Sequence, residues 1–192
     1  MKSIQNRNNK SRGFVLTELL LGVAVVSILA LIGAGVYQGL KSGINADDMG
    51  SKTVGMVSEI QKVWRNAGNY TSVSPAEINK VSLVVAPMRM SGTDMLDAWG
   101  NTMTLNGGQS SFALTIGGAT APINKDDCAT IANKLASLGS VIRIGASAAV
   151  GTGGTAGTVT GGNLFKSGAT ITQAGLTDGC SEASTVIAAQ FR

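Results

Sequence analysis

The sequence predicts an α+β protein in which one long N-terminal helix leads into an antiparallel sheet that carries a second helix. Three observations predict it: a continuous helical apolar pattern from 14 to about 67, short β-type runs confined to the chain after it, and an amphipathic segment at 125–139. The organisation that follows is a basic leader at 1–13, the apolar half of the helix at 14–37, its amphipathic half at 38–67, and a globular head at 68–192.

The first 13 residues hold Lys2, Arg7, Lys10 and Arg12 and no acid. These are four of the 15 basic side chains, and the other 11 are balanced by 11 Asp and Glu, so the formal charge of +4 belongs to the leader. A basic block ahead of an apolar run is held on the cytoplasmic side of a membrane, which makes it an address rather than a nucleic-acid-binding patch.

In the run FVLTELLLGVAVVSILALIGAGVY at 14–37 only Thr17, Glu18 and Ser27 are polar. At about 1.5 Å per residue a helix of this length spans a bilayer. A cleaved secretory signal has a shorter apolar core followed by a small-residue cleavage site, and neither is present. Glu18 costs roughly 2.5 to 3.5 kcal/mol near the bilayer centre and less near the interface, so it either snorkels or has a partner.

The helix continues through Leu40, Ile44, Val54, Val57, Ile60 and Trp64, whose spacing keeps one apolar stripe, and it ends near Gly68 as C-cap. Within it, Gly33, Gly35, Gly39 and Gly43 each cost about 1 kcal/mol relative to Ala. Gly35, Gly39 and Gly43 recur every fourth residue, which makes either a smooth strip for close helix packing or a weak point that unwinds.

In the head, VSLVVA at 81–86, NTMTL with Leu105 at 102–106, SFALTI at 111–116, VIRIGA at 141–146 and STVIAAQF at 184–191 read as strands, with NGG at 106–108 as a turn between the second and third. KDDCATIANKLASLG at 125–139 reads as an amphipathic helix with an acidic N-cap, apolar positions at Ile131, Leu135 and Leu138, and a terminal glycine. GTGGTAGTVTGG at 151–162 reads as a flexible exposed loop, and it lacks the Gly-Lys-Ser/Thr ending of a phosphate-binding loop.

The chain has no histidine, which excludes Ser/His/Asp triads, Cys/His dyads and histidine-based metal sites. With 14% charged residues, 4% aromatics and 26 glycines, the surface is neutral and hydroxyl-rich. A catalytic role, a cofactor and a metal are therefore not expected.

Basic leader, Gly13, Phe14, a glutamate at the fifth position after the glycine and then an apolar helix together resemble the processing motif of type IV prepilins. The resemblance implies that a prepilin peptidase cuts between Gly13 and Phe14 on the cytoplasmic face and methylates the new N-terminus. It also implies that Glu18 is an assembly residue, able to neutralise the cationic amine of Phe14 and so to fix the axial register of an incoming subunit. The helix-breaking proline familiar in the family is absent, so any melting in a fibre would fall on the glycines.

Cys128 and Cys180, the only cysteines, would both face the oxidising periplasm, where a disulfide between them is expected over two free thiols. Their placement, one at the start of a helix in the C-terminal half and one near the chain end, is similar to that of type IVb pilins, the subgroup with toxin-coregulated, bundle-forming and conjugative thin pili. SFALTIGG running into DDCATIANKL, and RNAGNY at 65–70, resemble the same subgroup. The short leader and Phe14 as first mature residue are closer to type IVa habits.

The function expected from the resemblance is that of a structural major subunit, stored in the inner membrane and polymerised into an extracellular fibre for adhesion, aggregation or mating-pair contact. The expected partners are copies of itself, the prepilin peptidase, the inner-membrane assembly machinery and a host or recipient cell surface, with no nucleic acid. The alternatives are a minor pilin or secretion pseudopilin, and a membrane-anchored periplasmic binding module that keeps its leader.

Overall fold

The computed structural model describes Val23, Ser27 and residues 45–192. The chain divides into two units, Met1–Lys41 and Ser42–Arg192, and every strand among the described residues belongs to the second. The predicted leader and, apart from helical Val23 and Ser27, the predicted span at 14–37 lie outside the described residues.

Residues 45–65 form helix α1. Ala46, Met49, Thr53, Met56, Val57, Ile60 and Trp64 recur at spacings of three and four, and all are buried. The one hydroxyl in this stripe, that of Thr53, donates to the Met49 carbonyl at 2.8 Å and so enters the core satisfied. The helix ends as predicted: Ala67 and Gly68 donate to the carbonyls of Trp64 and Arg65, and Gly68 takes a φ of +77°.

The predicted strand at 81–86 is a correction. Ser74 accepts from the Glu77 amide and Pro75 opens a short helix α2, Pro75–Lys80, so 81–86 is the chain leaving that helix. Ser82 has a φ of +58° and Leu83 donates back to the Ile78 carbonyl at 3.0 Å. The apolar run serves the core through Leu83 and Val84 and leaves Val81 and Val85 exposed.

Strands β1 (Arg89–Ser91), β2 (Asp94–Leu96) and β3 (Thr102–Met103) make a small antiparallel meander. The predicted strand at 102–106 therefore splits at Thr104, because β4 (Leu105–Gly107) pairs instead with β5 (Phe112–Gly117). The turn between them sits at 108–111, later than predicted, since Asn106 and Gly107 are still paired with Ala113 and Phe112. Gly108 closes it by donating to the Ser111 carbonyl at 2.7 Å.

Helix α3 spans Lys125–Leu135, and Gly139 closes its exit by donating to Leu135. Its N-cap is Asn124, whose side chain accepts from the Asp127 amide at 2.8 Å; the predicted acidic cap is corrected, and the acids stand instead in the first turn. The chain continues through β6 (Val141–Ile144), β7 (Ala149–Val150), a 3-10 turn (Gly153–Thr155) and β8 (Val159–Thr160). It then forms β9 (Asn163–Ser167), β10 (Thr170–Ile171), helix α4 (Gln173–Cys180) and β11 (Val186–Phe191).

The main sheet has six antiparallel strands in the order β10-β9-β6-β11-β5-β4. Register places Ile187 opposite both Ile116 and Ile144, Ala189 opposite Leu114 and Ile142, and Phe191 opposite Phe112. All eight belong to one face, and with α1, α3 and Phe165 they make a single core. Tyr70, Phe112 and Phe191 continue as an aromatic row, with ring centroids 5.1 and 5.3 Å apart.

The expected flexible loop at 151–162 is also corrected. It is a folded cover on the opposite face of the sheet, where Ala148, Val150 and Val159 pack on Ala113 and Ala188. A side chain at Gly157 would bring its first carbon to 2.2 Å from the Ser111 carbonyl, so this glycine permits contact, as do Gly151, Gly161 and Gly162, whereas Gly153 and Gly154 stand in the exposed turn with open space around them.

Candidate functional site

The most constrained predicted site is the cysteine pair. Cys128 sits in the first turn of α3 and Cys180 is the last residue of α4, and the two helices bring their Cα atoms to 5.7 Å in a disulfide. Both residues are buried. The bond closes a loop of 52 residues containing β6 to β10, so it joins the helical layer to the part of the chain that carries the cover and one sheet edge.

The predicted processing and assembly residues Gly13, Phe14 and Glu18, and the glycines Gly33, Gly35, Gly39 and Gly43, lie outside the described residues. The described part of the helix, α1, turns its apolar stripe to the core and leaves Asp47, Ser51, Lys52, Gly55, Lys62, Val63 and Arg65 exposed. A groove of about 390 Å³ beside it is lined by Ser51, Val54, Asn133, Lys134 and Ser137. Lys134 crosses from α3 to α1 there, with Nζ 2.8 Å from the Asp47 carboxylate and 2.7 Å from Ser51 Oγ. Asp47 is largely exposed, so this pair holds orientation and contributes at most about 1 kcal/mol.

A second polar centre escaped the sequence reading. Asp97 is fully buried; one carboxylate oxygen accepts from the amides of Trp99, Gly100 and Asn101 at 2.8 to 2.9 Å. The other accepts from Asn101 Nδ2 at 3.1 Å and from the Gly117 amide at 3.0 Å. Asn101 in turn exchanges two hydrogen bonds with the backbone of Ala121. One aspartate thus ties the β2–β3 turn, the end of β5 and the approach to α3, and all its acceptor capacity is spent on N–H groups. Such a carboxylate is structural, since a cation or a reacting group would have to displace those donors.

Replacing Asp97 with Ala removes five hydrogen bonds, leaves the amides of Trp99, Asn101 and Gly117 without that acceptor, and is expected to lower the unfolding free energy by about 3 kcal/mol, with Asn intermediate. Urea denaturation followed by tryptophan fluorescence checks this; a loss below about 1 kcal/mol for Ala would mean that water replaces the carboxylate at little cost.

Among the described residues no three His, Cys, Asp or Glu side chains are grouped to hold a metal ion, and no helix is long and apolar enough to cross a membrane. No protein-family description matches the chain, and no curated protein matches it. Among solved structures the chain is similar to the crystal structure of TcpA, a type IV pilin from Vibrio cholerae El Tor biotype. The identity is 14%, the match covers 77% of this chain and 99% of that chain, and the TM-score is 0.48.

Proposed function

We propose that the chain is the precursor of a type IV pilin of the type IVb kind, the major structural subunit of an extracellular fibre. The observation that carries the reading is the junction of the basic leader with Gly13 and Phe14, followed by Glu18 as the lone acid of an apolar run. Two further features are in keeping with it: an amphipathic helix α1 packed on an antiparallel sheet, and a disulfide that frames the C-terminal part of the head.

In this reading the leader holds the N-terminus in the cytoplasm while the apolar helix waits in the inner membrane and the head folds in the periplasm. A prepilin peptidase cuts after Gly13, and the subunit then leaves the membrane by packing its apolar helix among those of other copies. Packing of that helix against its neighbours replaces its contacts with lipid, which is no less apolar than a fibre core. Glu18 supplies the register, because its charge is neutralised only when a neighbour's Phe14 amine stands at the right height. Adhesion, aggregation or mating-pair contact then belongs to the exposed part of the head.

Intact-mass measurement of sheared surface filaments tests the reading. The subunit is expected to begin at N-methylated Phe14, to dominate the preparation and to carry its disulfide. Replacing Gly13 with Leu is expected to leave uncut precursor in the inner membrane, because a protease reading the backbone at close range needs the missing side chain. Filament subunits that retain residues 1–13 would overturn the proposal.

A further inference from the structure

Residues 145–162, GASAAVGTGGTAGTVTGG, contain no charged side chain and form a strap over the outer face of β5 and β11. Their apolar hold is small: Ala148, Val150 and Val159 pack against Ala113 and Ala188, with the half-buried Val141 and Val186 at the margin. Polar contacts do the rest. At the middle of the strap Gln190 Nε2 donates to Ser111 Oγ at 3.2 Å, and that hydroxyl donates to the Gly157 carbonyl at 2.8 Å.

Both ends of the strap meet on one carboxylate. Glu182 Oε2 accepts from the Ala146 amide at 2.6 Å, where the strap begins, and Oε1 accepts from Asn163 Nδ2 at 3.0 Å, where it has just ended. The carboxylate reaches this position because residue 145 is glycine; a Cβ there would lie 2.6 Å from Oε1. Glu182 follows Cys180 by two residues, and its own carbonyl accepts from Thr185 Oγ1 at 2.8 Å. Its backbone is therefore held from one side by the disulfide at the end of α4 and from the other by the start of β11.

We propose that Glu182 latches the two ends of the strap, and that the Cys128–Cys180 disulfide is the positioning element that sets the latch. The strap is then a unit that opens separately from the sheet it covers, and covalent closure of the head controls how often it does so. The proposal does not depend on the pilin reading, since it concerns the fold of Ser42–Arg192 alone.

Hydrogen exchange measured by mass spectrometry on the full chain in detergent micelles tests it. Replacing Glu182 with Ala is expected to raise the exchange rates of amides in 145–162 at least tenfold, with the amides of β5 and β11 unchanged. Glu182→Gln, which keeps one acceptor and turns an amide group toward the other donor, is expected to fall between. Cys128→Ser is expected to raise strap exchange by a similar factor, and adding Glu182→Ala to it is expected to raise it no further. Unchanged strap exchange in Glu182→Ala overturns the latch. Effects of the two substitutions that multiply in the double variant overturn the link to the disulfide. Should the serine variant fail to fold, Asn163→Ala removes one arm of the latch and is expected to give a smaller rise, whose absence also overturns the proposal.

Discussion

Serine at Cys128 or at Cys180 is expected to lower the unfolding free energy by about 4 kcal/mol, the loop-closure value for a cross-link that spans about 50 residues. A domain of ordinary stability has about 5 to 15 kcal/mol in total, so the loss would leave a marginal head. Both sulfurs are buried, and the free thiol left by a single substitution has no partner with which to reform the link. The two single variants and the double variant should therefore lie close together, because each removes the same constraint from the unfolded chain. Denaturant midpoints of the full chain in micelles check the magnitude, and thiol labelling of the native protein checks the bond. A shift below about 0.5 kcal/mol in both single variants would show that the cross-link is not what holds this half of the head.

The reason for expecting a large effect lies in the topology. β11 is the last strand in the chain yet lies between β5 and β6, so its pairing with β5 closes a loop that contains everything inside the disulfide. β6 and β9 also pair across the strap. Contacts of such sequence separation are costly in chain entropy before they contribute any burial. Joining Cys128 to Cys180 fixes α4 against α3 and brings the start of β11 to the sheet, which reduces that cost.

The same topology explains what could be read from the residues beforehand. Val57, Ile60 and Trp64 of α1, Ile131 and Leu135 of α3, and strands β5, β6 and β11 follow local patterns and lie where the pattern puts them; Val54 and Leu138 are half-buried at the edge of the core, and Leu40 and Ile44 lie outside the described residues. The run at 81–86 has the composition of a strand but no partner strand, and the cap at Ser74 with Pro75 and Glu77 was the stronger local signal. Helix α4 carries Gly175 and Gly179, which lower helix propensity; they are there because added Cβ atoms would meet the Leu164 carbonyl at 2.0 Å and the Ile144 side chain at 2.6 Å. Glycine and threonine are common in loops, so composition alone predicts a mobile strap, whereas the close approach that Gly151, Gly157, Gly161 and Gly162 allow is a tertiary fact. The cysteines were legible as a pair because only two exist. Asp97 and Glu182 were not: four of the five Asp97 donors lie within four residues, but its bond to Gly117 and the bonds of Glu182 to Ala146 and Asn163 join segments 20, 36 and 19 residues apart.

Alanine at Glu18 is expected to abolish filaments while leaving the cleaved subunit in the membrane. Insertion should survive, since the change only makes the span more apolar, and cutting should survive, since the leader and the Gly13 junction remain intact. Assembly differs because, in the proposed fibre, it must bury the Phe14 amine among apolar helices. Without a carboxylate each incoming amine is left unpaired, at a cost of several kcal/mol even after relaxation. A penalty of about 3 kcal/mol per subunit would weaken each addition on the order of 100-fold, more than a growing end can tolerate. Glu18→Gln keeps size and hydrogen bonding but not charge. It should therefore behave like Ala if pairing is the requirement and like the native residue if packing is. Co-expression with the native chain adds a further readout, because a cleaved subunit that cannot fix its register should reduce filament yield when present in excess. Sheared filament yield, measured beside the membrane pool of cleaved subunit for the native chain, Ala and Gln, separates these outcomes. A full yield of filaments from Glu18→Ala would return Glu18 to a side chain that merely snorkels at the membrane surface.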